Sequence, residues 1–252
     1  MYQRELEQFV EMILSTDKIV AFTGAGISAE SGIPTFRGKG GIWEKYDPDK
    51  VASINSFYED PRNYWEFARD FESKFFNVKP SPAHMAIGKL EKMKRLLGVI
   101  TQNVDGLHQK AGNTRVIELH GNTSIIECLD CGKRYDREEV FRRLETELPP
   151  RCDCGSIYLK PKAVFFGEPL PQTALSEAIE LARRCELMIV VGSSLVVYPA
   201  AEIPLIAKTS GSKLVLINLE STPYDDIFDL KFYSRASDIL PEVVEKVEKQ
   251  LT

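Results

Sequence analysis

Apolar residues along the chain follow two alternating patterns. Leu6, Phe9, Val10, Ile13 and Leu14 recur at helical spacing among acidic neighbours and predict an amphipathic first helix. Ile19-Val20-Ala21-Phe22-Thr23 follows, an uninterrupted apolar run closed by a glycine turn, as expected of a parallel strand buried on both faces. Similar runs recur at Leu97–Thr101, Val116–Leu119, Leu187–Val191 and Leu214–Ile217, with helical stretches between many of them. Strands alternating with helices predict an α/β fold built on a Rossmann-like parallel sheet.

Two stretches break this rhythm. Residues 38–80 are dense in aromatics (Trp43, Tyr46, Phe57, Tyr58, Tyr64, Trp65, Phe67, Phe71, Phe75, Phe76) and read as a helical or loop insertion. Residues 121–160 carry Cys128 and Cys131, then Cys152 and Cys154, separated by a charged helix over Arg137–Glu147. We therefore expect a sheet domain of residues 1–37, 81–120 and 161–252, the insertion at 38–80, and a small inserted zinc-binding module at 121–160.

Composition narrows the function. A chain of 252 residues, 43% hydrophobic, can bury a sizeable core. Its net charge of -5 argues against broad phosphate neutralisation, so direct nucleic-acid binding is not expected, whereas a lysine-bearing protein partner is compatible. No apolar run approaches the ~18 residues needed to span a bilayer, and the first helix is unlike a signal peptide, which points to the cytoplasm and away from membranes. Four of the five cysteines fall in tight pairs, which suggests metal in a reducing compartment in place of disulfides; Cys185 reads as a small buried hydrophobe.

Gly24-Ala25-Gly26-Ile27-Ser28-Ala29 fits the dinucleotide fingerprint, with a strand before it and a helix start near Ser28; an unliganded strand-to-helix turn fits the pattern equally well. No acidic residue follows a second strand ~20 positions on, where a standard Rossmann unit binds ribose; Asn218-Leu219-Glu220 could supply that contact, or form an ordinary polar turn. Gln102, Asn103 and Asp105 follow one strand, and His120 ends another. A histidine there can accept a proton near neutral pH, although a lone histidine is more often structural. His84 and His108 read as structural. Four thiolates can close a tetrahedral zinc shell with no open position, so a metal here would be structural, although Cys-x-Cys is shorter than the usual second knuckle.

The extended run Gly24–Gly38, with Ile33, Thr35, Phe36 and Arg37, closely resembles the cofactor loop of the sirtuin family in its prokaryotic form. Thr101–His108, His120-Gly121, the four cysteines, Phe165-Phe166-Gly167-Glu168, Gly192-Ser193-Ser194 and Asn218 continue the resemblance in order, over about residues 18–240. It implies an NAD-dependent protein-lysine deacetylase that moves the acyl group of acetyl-lysine to ADP-ribose, with NAD consumed as co-substrate and one structural zinc on Cys128, Cys131, Cys152 and Cys154. Released nicotinamide, O-acetyl-ADP-ribose and free lysine would be the products. By the same resemblance, His120 would deprotonate the ribose diol, and Asn103 and Gln102 would hold the ribose and its water. Asp105 and the Ile33 backbone would hold the carboxamide, Phe36 would shelter the reactive carbon, and Arg37 and Ser193 would steady ribose and phosphates. The remaining cofactor contacts would be Gly24, Ala25, Gly26, Ser28, Thr35, Gly192, Ser194, Asn218, Glu220 and Ala236. An acetylated lysine of a protein or peptide would lie extended between Phe165–Glu168 and Ser194–Tyr198, touching Val104, Phe165, Phe166, Gly167, Glu168 and Val196.

Three rivals stand beside this. A mono-ADP-ribosyltransferase would use the same cleft with different products. A zinc amidohydrolase would need an open metal position. A zinc-ribbon module reading nucleic acid would use Lys133, Arg134, Arg137, Arg142 and Arg143, but acidic residues interrupt them. Sirtuins that prefer succinyl or malonyl lysine typically carry a Tyr-x-x-Arg pair; here Tyr64 is followed at the third place by Phe67, and Glu66 precedes Arg69 by three. Acetyl, or a longer aliphatic chain, should therefore fit better than an acidic one, which would meet apolar walls and a like charge.

Overall fold

All five apolar runs form strands: Ile19–Thr23 and Leu187–Val191 are buried throughout and Leu96–Thr101 and Lys213–Asn218 nearly so, whereas Val116–Glu118 lies at the sheet edge with only Ile117 buried. The computed structural model describes residues 2–38, 40–71 and 77–251; Phe75 and Phe76 of the aromatic insertion lie outside the described residues. In chain order the elements are α1 (Gln3–Leu14), β1 (Ile19–Thr23), α2 (Pro48–Val51), α3 (Ile54–Glu59), α4 (Arg62–Phe71), α5 (Pro82–Lys92), β2 (Leu96–Thr101), α6 (Leu107–Lys110), β3 (Val116–Glu118), β4 (Ile125–Cys128), β5 (Arg134–Asp136), α7 (Arg137–Leu144), β6 (Leu159–Pro161), α8 (Gln172–Arg184), β7 (Leu187–Val191), α9 (Ile203–Thr209), β8 (Lys213–Asn218), β9 (Leu230–Tyr233) and α10 (Ala236–Leu251).

The main sheet runs β3-β2-β1-β7-β8-β9, with every neighbouring pair parallel. Strand order proceeds outward from β1 in both directions, so the connections diverge between β1 and β7. Sheets of this kind hold ligands in the crevice beyond the C-terminal ends of those two strands. Strand β9 was not among the expected runs. It is an edge strand whose Leu230 and Phe232 are buried while Tyr233 faces out, so it alternates instead of reading as a continuous apolar run.

One face of the sheet packs Phe9, Ile13, Ile87, Leu90, Leu240 and Val244 from α1, α5 and α10. The other face buries Phe22 and Val190 under Leu181 and Ala182 of α8 and Ile203 and Ala207 of α9. Each of the larger apolar side chains here contributes about 1.5–3 kcal/mol when fully buried. Helix α5 starts with a reciprocal cap: the Ser81 hydroxyl accepts from the His84 N–H, and His84 Nδ1 accepts from the Ser81 N–H. His84 thus has a structural task.

The two inserted stretches share one core. Phe57, Tyr64, Trp65, Phe67 and Phe71 of the first pack with Ile126, Tyr135, Val140, Leu144 and Leu159 of the second. Trp65 is fully buried, and its Nε1–H donates to the Leu159 carbonyl at 3.1 Å. The second stretch forms a small antiparallel sheet, β5-β4-β6. Helix α7 stops at Leu144, short of the expected Glu147, as the chain turns toward Leu148-Pro149, where the ring disfavours helical backbone in the preceding residue. Among the described residues, no helix is long and apolar enough to cross a membrane.

Candidate active site

Five strands deliver their C-terminal ends to the crevice. From β1 the chain enters Gly24, extended, and then a tight 3-10 turn over Ala25–Ser31 in place of a helix starting at Ser28. That turn abuts the turn after β7, and the Gly26 N–H donates to the Gly192 carbonyl at 2.8 Å. A Cβ on Gly192, whose φ is +62°, would sit 2.4 Å from the Ile27 nitrogen, so both steric clearance and backbone conformation demand glycine there. Strand β2 delivers Gln102 and Asn103, β8 delivers Asn218 and Glu220, and His120 follows β3.

These ends line a cavity of about 850 Å³ whose opposite wall is Trp43, Tyr64, Phe67 and Phe165–Glu168 of the inserted body and its connection. Of the residues named from sequence, the wall includes Ala25, Gly26, Thr35, Phe36, Arg37, Gln102, Asn103, Val104, His120, Phe165, Phe166, Gly167, Glu168, Gly192, Ser193, Ser194, Asn218, Glu220 and Ala236. Gly24, Ser28, Ile33, Asp105 and Val196 do not lie on it. Gly24 and Ser28 are buried beneath the turn, the Ile33 N–H donates to the Ser28 carbonyl at 3.3 Å, and Val196 faces outward. Ala52, Trp43, Tyr64, Phe67, Thr123, Tyr198 and Arg235 also line the cavity. Aromatic density in the first insertion was the signal for three of them; Ala52 and Arg235 carried none. Arg69 and Glu66 are exposed and absent from the wall, so no like charge from Glu66 meets the ligand space.

Hydrogen bonds fix how these groups can act. His120 Nδ1 lies 2.8 Å from the Gln102 carbonyl, which can only accept, so Nδ1 carries the proton and Nε2 is left as an acceptor. Burial lowers the His120 pKa below its ordinary value; the bond to Gln102 opposes this, and the Arg37 charge adds to it. Asn103 donates both Nδ2 hydrogens, to the Gly24 carbonyl and the Ser28 hydroxyl, each at 3.1 Å, which leaves its Oδ1 as the acceptor. Ser28 in turn donates to Asp105 Oδ2 at 2.7 Å, and the Leu107 N–H donates to Oδ1. Burial raises the Asp105 pKa against those two bonds. Gln102 lines the cavity, yet its Nε2 is buried and has no partner among the described residues.

Beneath the floor, His108 Nε2 donates to the Thr23 hydroxyl at 2.9 Å, and Thr23 donates to Thr101 Oγ1, which also accepts from the Asn103 N–H. The His84 and His108 rings meet edge to face at 4.7 Å. Burial lowers their pKa values to about 2 and about 4, so both stay neutral and support the floor. Cys185 is likewise buried, against Ser212 and the Ala182 carbonyl.

The four paired cysteines converge at the edge of the small sheet, with all sulfurs within 4.8 Å of one another. Cys128 and Cys154 are 3.7 Å apart and Cys131 and Cys152 are 3.6 Å apart. A tetrahedron with Zn–S bonds of about 2.3 Å has edges of about 3.8 Å, so this set fits a single zinc ion.

The chain that folds into this divided sheet, glycine turn and four-cysteine cluster matches one known family model, described as the Sir2 family, over residues 24–199. The chain belongs to that family. A relative from Archaeoglobus fulgidus, called NAD-dependent protein deacylase 2, is 52% identical, the match covering 97% of each chain. The NAD-dependent protein deacetylase of Thermotoga maritima is 46% identical, over 96% of this chain and 98% of that one. Among solved structures, one described under the mechanism and regulation of Sir2 enzymes superposes with a TM-score of 0.93 at 50% identity, over 99% of this chain and 100% of that one. A Sir2 complex with p53 peptide and NAD+ gives 0.89 at 45% identity, over 98% and 99%.

Proposed function

We propose that this Sir2-family protein is an NAD-dependent protein-lysine deacetylase, which transfers the acyl group of acetyl-lysine to ADP-ribose and releases nicotinamide, O-acetyl-ADP-ribose and free lysine. The observation that carries this reading is His120: its Nδ1 is committed to the Gln102 carbonyl, so Nε2 is a free base on a wall shared by the glycine turn and the Phe165–Glu168 segment. The acyl oxygen of the bound lysine attacks the anomeric carbon of the nicotinamide ribose as nicotinamide leaves. Asn103 Oδ1 orients the ribose or its water, and His120 then deprotonates the diol so that a ribose oxygen attacks the acyl carbon; one water adds at that carbon as the lysine amine and then the anomeric oxygen leave it, the anomeric oxygen remaining on the sugar as a hydroxyl. Such positioning of two reactants is worth several kcal/mol. Asp105, set behind Ser28, organises the turn that receives the carboxamide. Ser193, Ser194, Asn218, Glu220 and Ala236 serve the nucleotide. Zinc on the four cysteines ties the inserted body and takes no part in chemistry.

The peptide lies extended along Gly167. Phe166 cannot pair with it, because its N–H donates to the Ala52 carbonyl and its own carbonyl accepts from Ile54 N–H. Among the described residues, the Gly167 N–H has no such partner, and Gly167 and the exposed Tyr198 both line the cavity. Three of the five cations near the cysteines are paired: Lys133 and Arg143 with Asp153, and Arg134 with Glu127. That supports a protein substrate over nucleic acid, and four clustered thiolates suit a reducing cytoplasm.

The test is incubation of the purified protein with an acetyl-lysine peptide, with and without NAD, read by mass spectrometry. Free lysine, nicotinamide and O-acetyl-ADP-ribose should appear only with NAD. An ADP-ribosylated polypeptide as main product would establish the transferase instead, and deacetylation without NAD would establish a hydrolase.

A further inference from the structure

Lys160 is charged, central and off the cavity wall. It lies on β6 and is 6% exposed, yet its ammonium is fully occupied: Nζ donates to the Ala163 carbonyl at 2.8 Å and to the Pro161 carbonyl at 3.2 Å, and ion-pairs with Glu168 Oε2 at 2.8 Å. The Phe165 ring covers it at 4.2 Å from the ring centroid. An ammonium has three hydrogens and here finds three oxygens and a π face, so the chain from 161 to 168 is wound around one point charge. The same Glu168 Oε2 accepts from the Phe165 N–H at 2.7 Å, and the Phe165 carbonyl accepts from the Glu168 N–H at 3.0 Å. The wound segment is bonded to the strand end that carries the base, with the Val164 N–H donating to the His120 carbonyl at 2.8 Å. Gly121 makes this crossing possible, since a Cβ there would fall 2.0 Å from the Lys162 carbonyl.

We infer that Lys160 is a positioning residue for the acyl-peptide substrate: its ammonium sets the conformation of Phe165–Glu168, and with it the Gly167 backbone that pairs with the peptide and the Phe165 ring on the acyl side. The inference rests on the proposed deacetylase reading. A buried ammonium without its acceptors, or acceptors without the ammonium, is strongly disfavoured, so removal of either should release the segment. A neutral side chain of equal length should disturb peptide binding and leave the nucleotide side alone, because Lys160 touches no residue of the glycine turn among its described partners.

Lys160→Met and Lys160→Arg would be compared with wild type by direct titration of an acetyl-lysine peptide and, separately, of NAD, with zinc content and Tm measured for each. Titration needs no turnover, so a failed deacetylase assignment shows itself in the wild type as absent product, while the present inference is judged on the ratio of the two affinities. Lys160→Met should weaken peptide binding about tenfold or more with NAD affinity changed less than about twofold, and Lys160→Arg, which keeps the charge, should recover part of the loss. Unchanged peptide affinity in folded, zinc-loaded Lys160→Met would overturn the inference, as would equal losses for peptide and NAD. Should Lys160→Met not fold, Glu168→Gln tests the same ion pair, with the same split expected and the same two results overturning it.

Discussion

At the scale of single residues, His120 carries the sharpest prediction. His120→Ala should lower kcat by about 10²–10⁴, the usual worth of a positioned proton-transfer group, while NAD affinity measured by titration stays near wild type. Because burial depresses the pKa of His120, the acid limb of kcat/KM should fall below the pH 6.5 typical of histidine. A limb above that value would mean another group is being read. His84 and His108 predict a stability effect of the same origin. Both are neutral in the fold and protonate in the unfolded chain near pH 6.5, so the unfolded state binds more protons as the pH drops. Stability should be full above pH 6.5 and fall by about 1.4 kcal/mol per pH unit for each histidine until its folded pKa is reached, near 4 for His108 and near 2 for His84. Denaturant unfolding between pH 7 and 4.5 would show it, and a flat profile would contradict the burial of this pair. What sequence made legible at this scale were residues whose type is dictated by backbone or chemistry: glycines at a close approach, a histidine ending a strand. It did not reveal that Asn103 spends both amide hydrogens internally, or that Asp105 works from behind Ser28, since neither hydrogen-bond direction leaves a trace in spacing.

At the scale of elements, the strands buried on both faces were readable because a continuous apolar run has few other uses. Strand β9 and the aromatic wall were not, the first because an edge strand alternates, the second because Trp43, Tyr64 and Phe67 meet Phe165 only through folding. The cysteine knot joins β4 to the loop before β6 and holds the only small sheet seen among the described residues. One zinc per chain should be found by elemental analysis of reduced protein, and chelation should lower Tm by several degrees and abolish activity without the metal being chemically engaged. Retention of full activity and Tm by Cys128→Ser, Cys131→Ser would rule out a structural zinc.

At the scale of the whole molecule, the cavity sits between a sheet that supplies polar ends and an inserted body that supplies rings. An acidic acyl chain reaching toward Trp43, Tyr64 and Phe67 gains no cation from α4, because Arg69 is exposed and off the wall. An unpaired carboxylate in such surroundings costs on the order of a few kcal/mol, so kcat/KM for acetyl-lysine should exceed that for succinyl-lysine by about 10² or more in one peptide context. Equal values, or a succinyl preference, would show the pocket to be read wrongly. The shared core of the two insertions has a mechanical side as well. The chain passes from sheet to inserted body and back twice, so four crossings join the two halves, and His120 and Val164 are bonded to each other on two of them. Any rocking of one half against the other must turn about these crossings. The base and the peptide strand then ride close to the pivot, where displacement is smallest, and Trp43 rides with them, its N–H bonded to the Phe36 carbonyl at the first crossing.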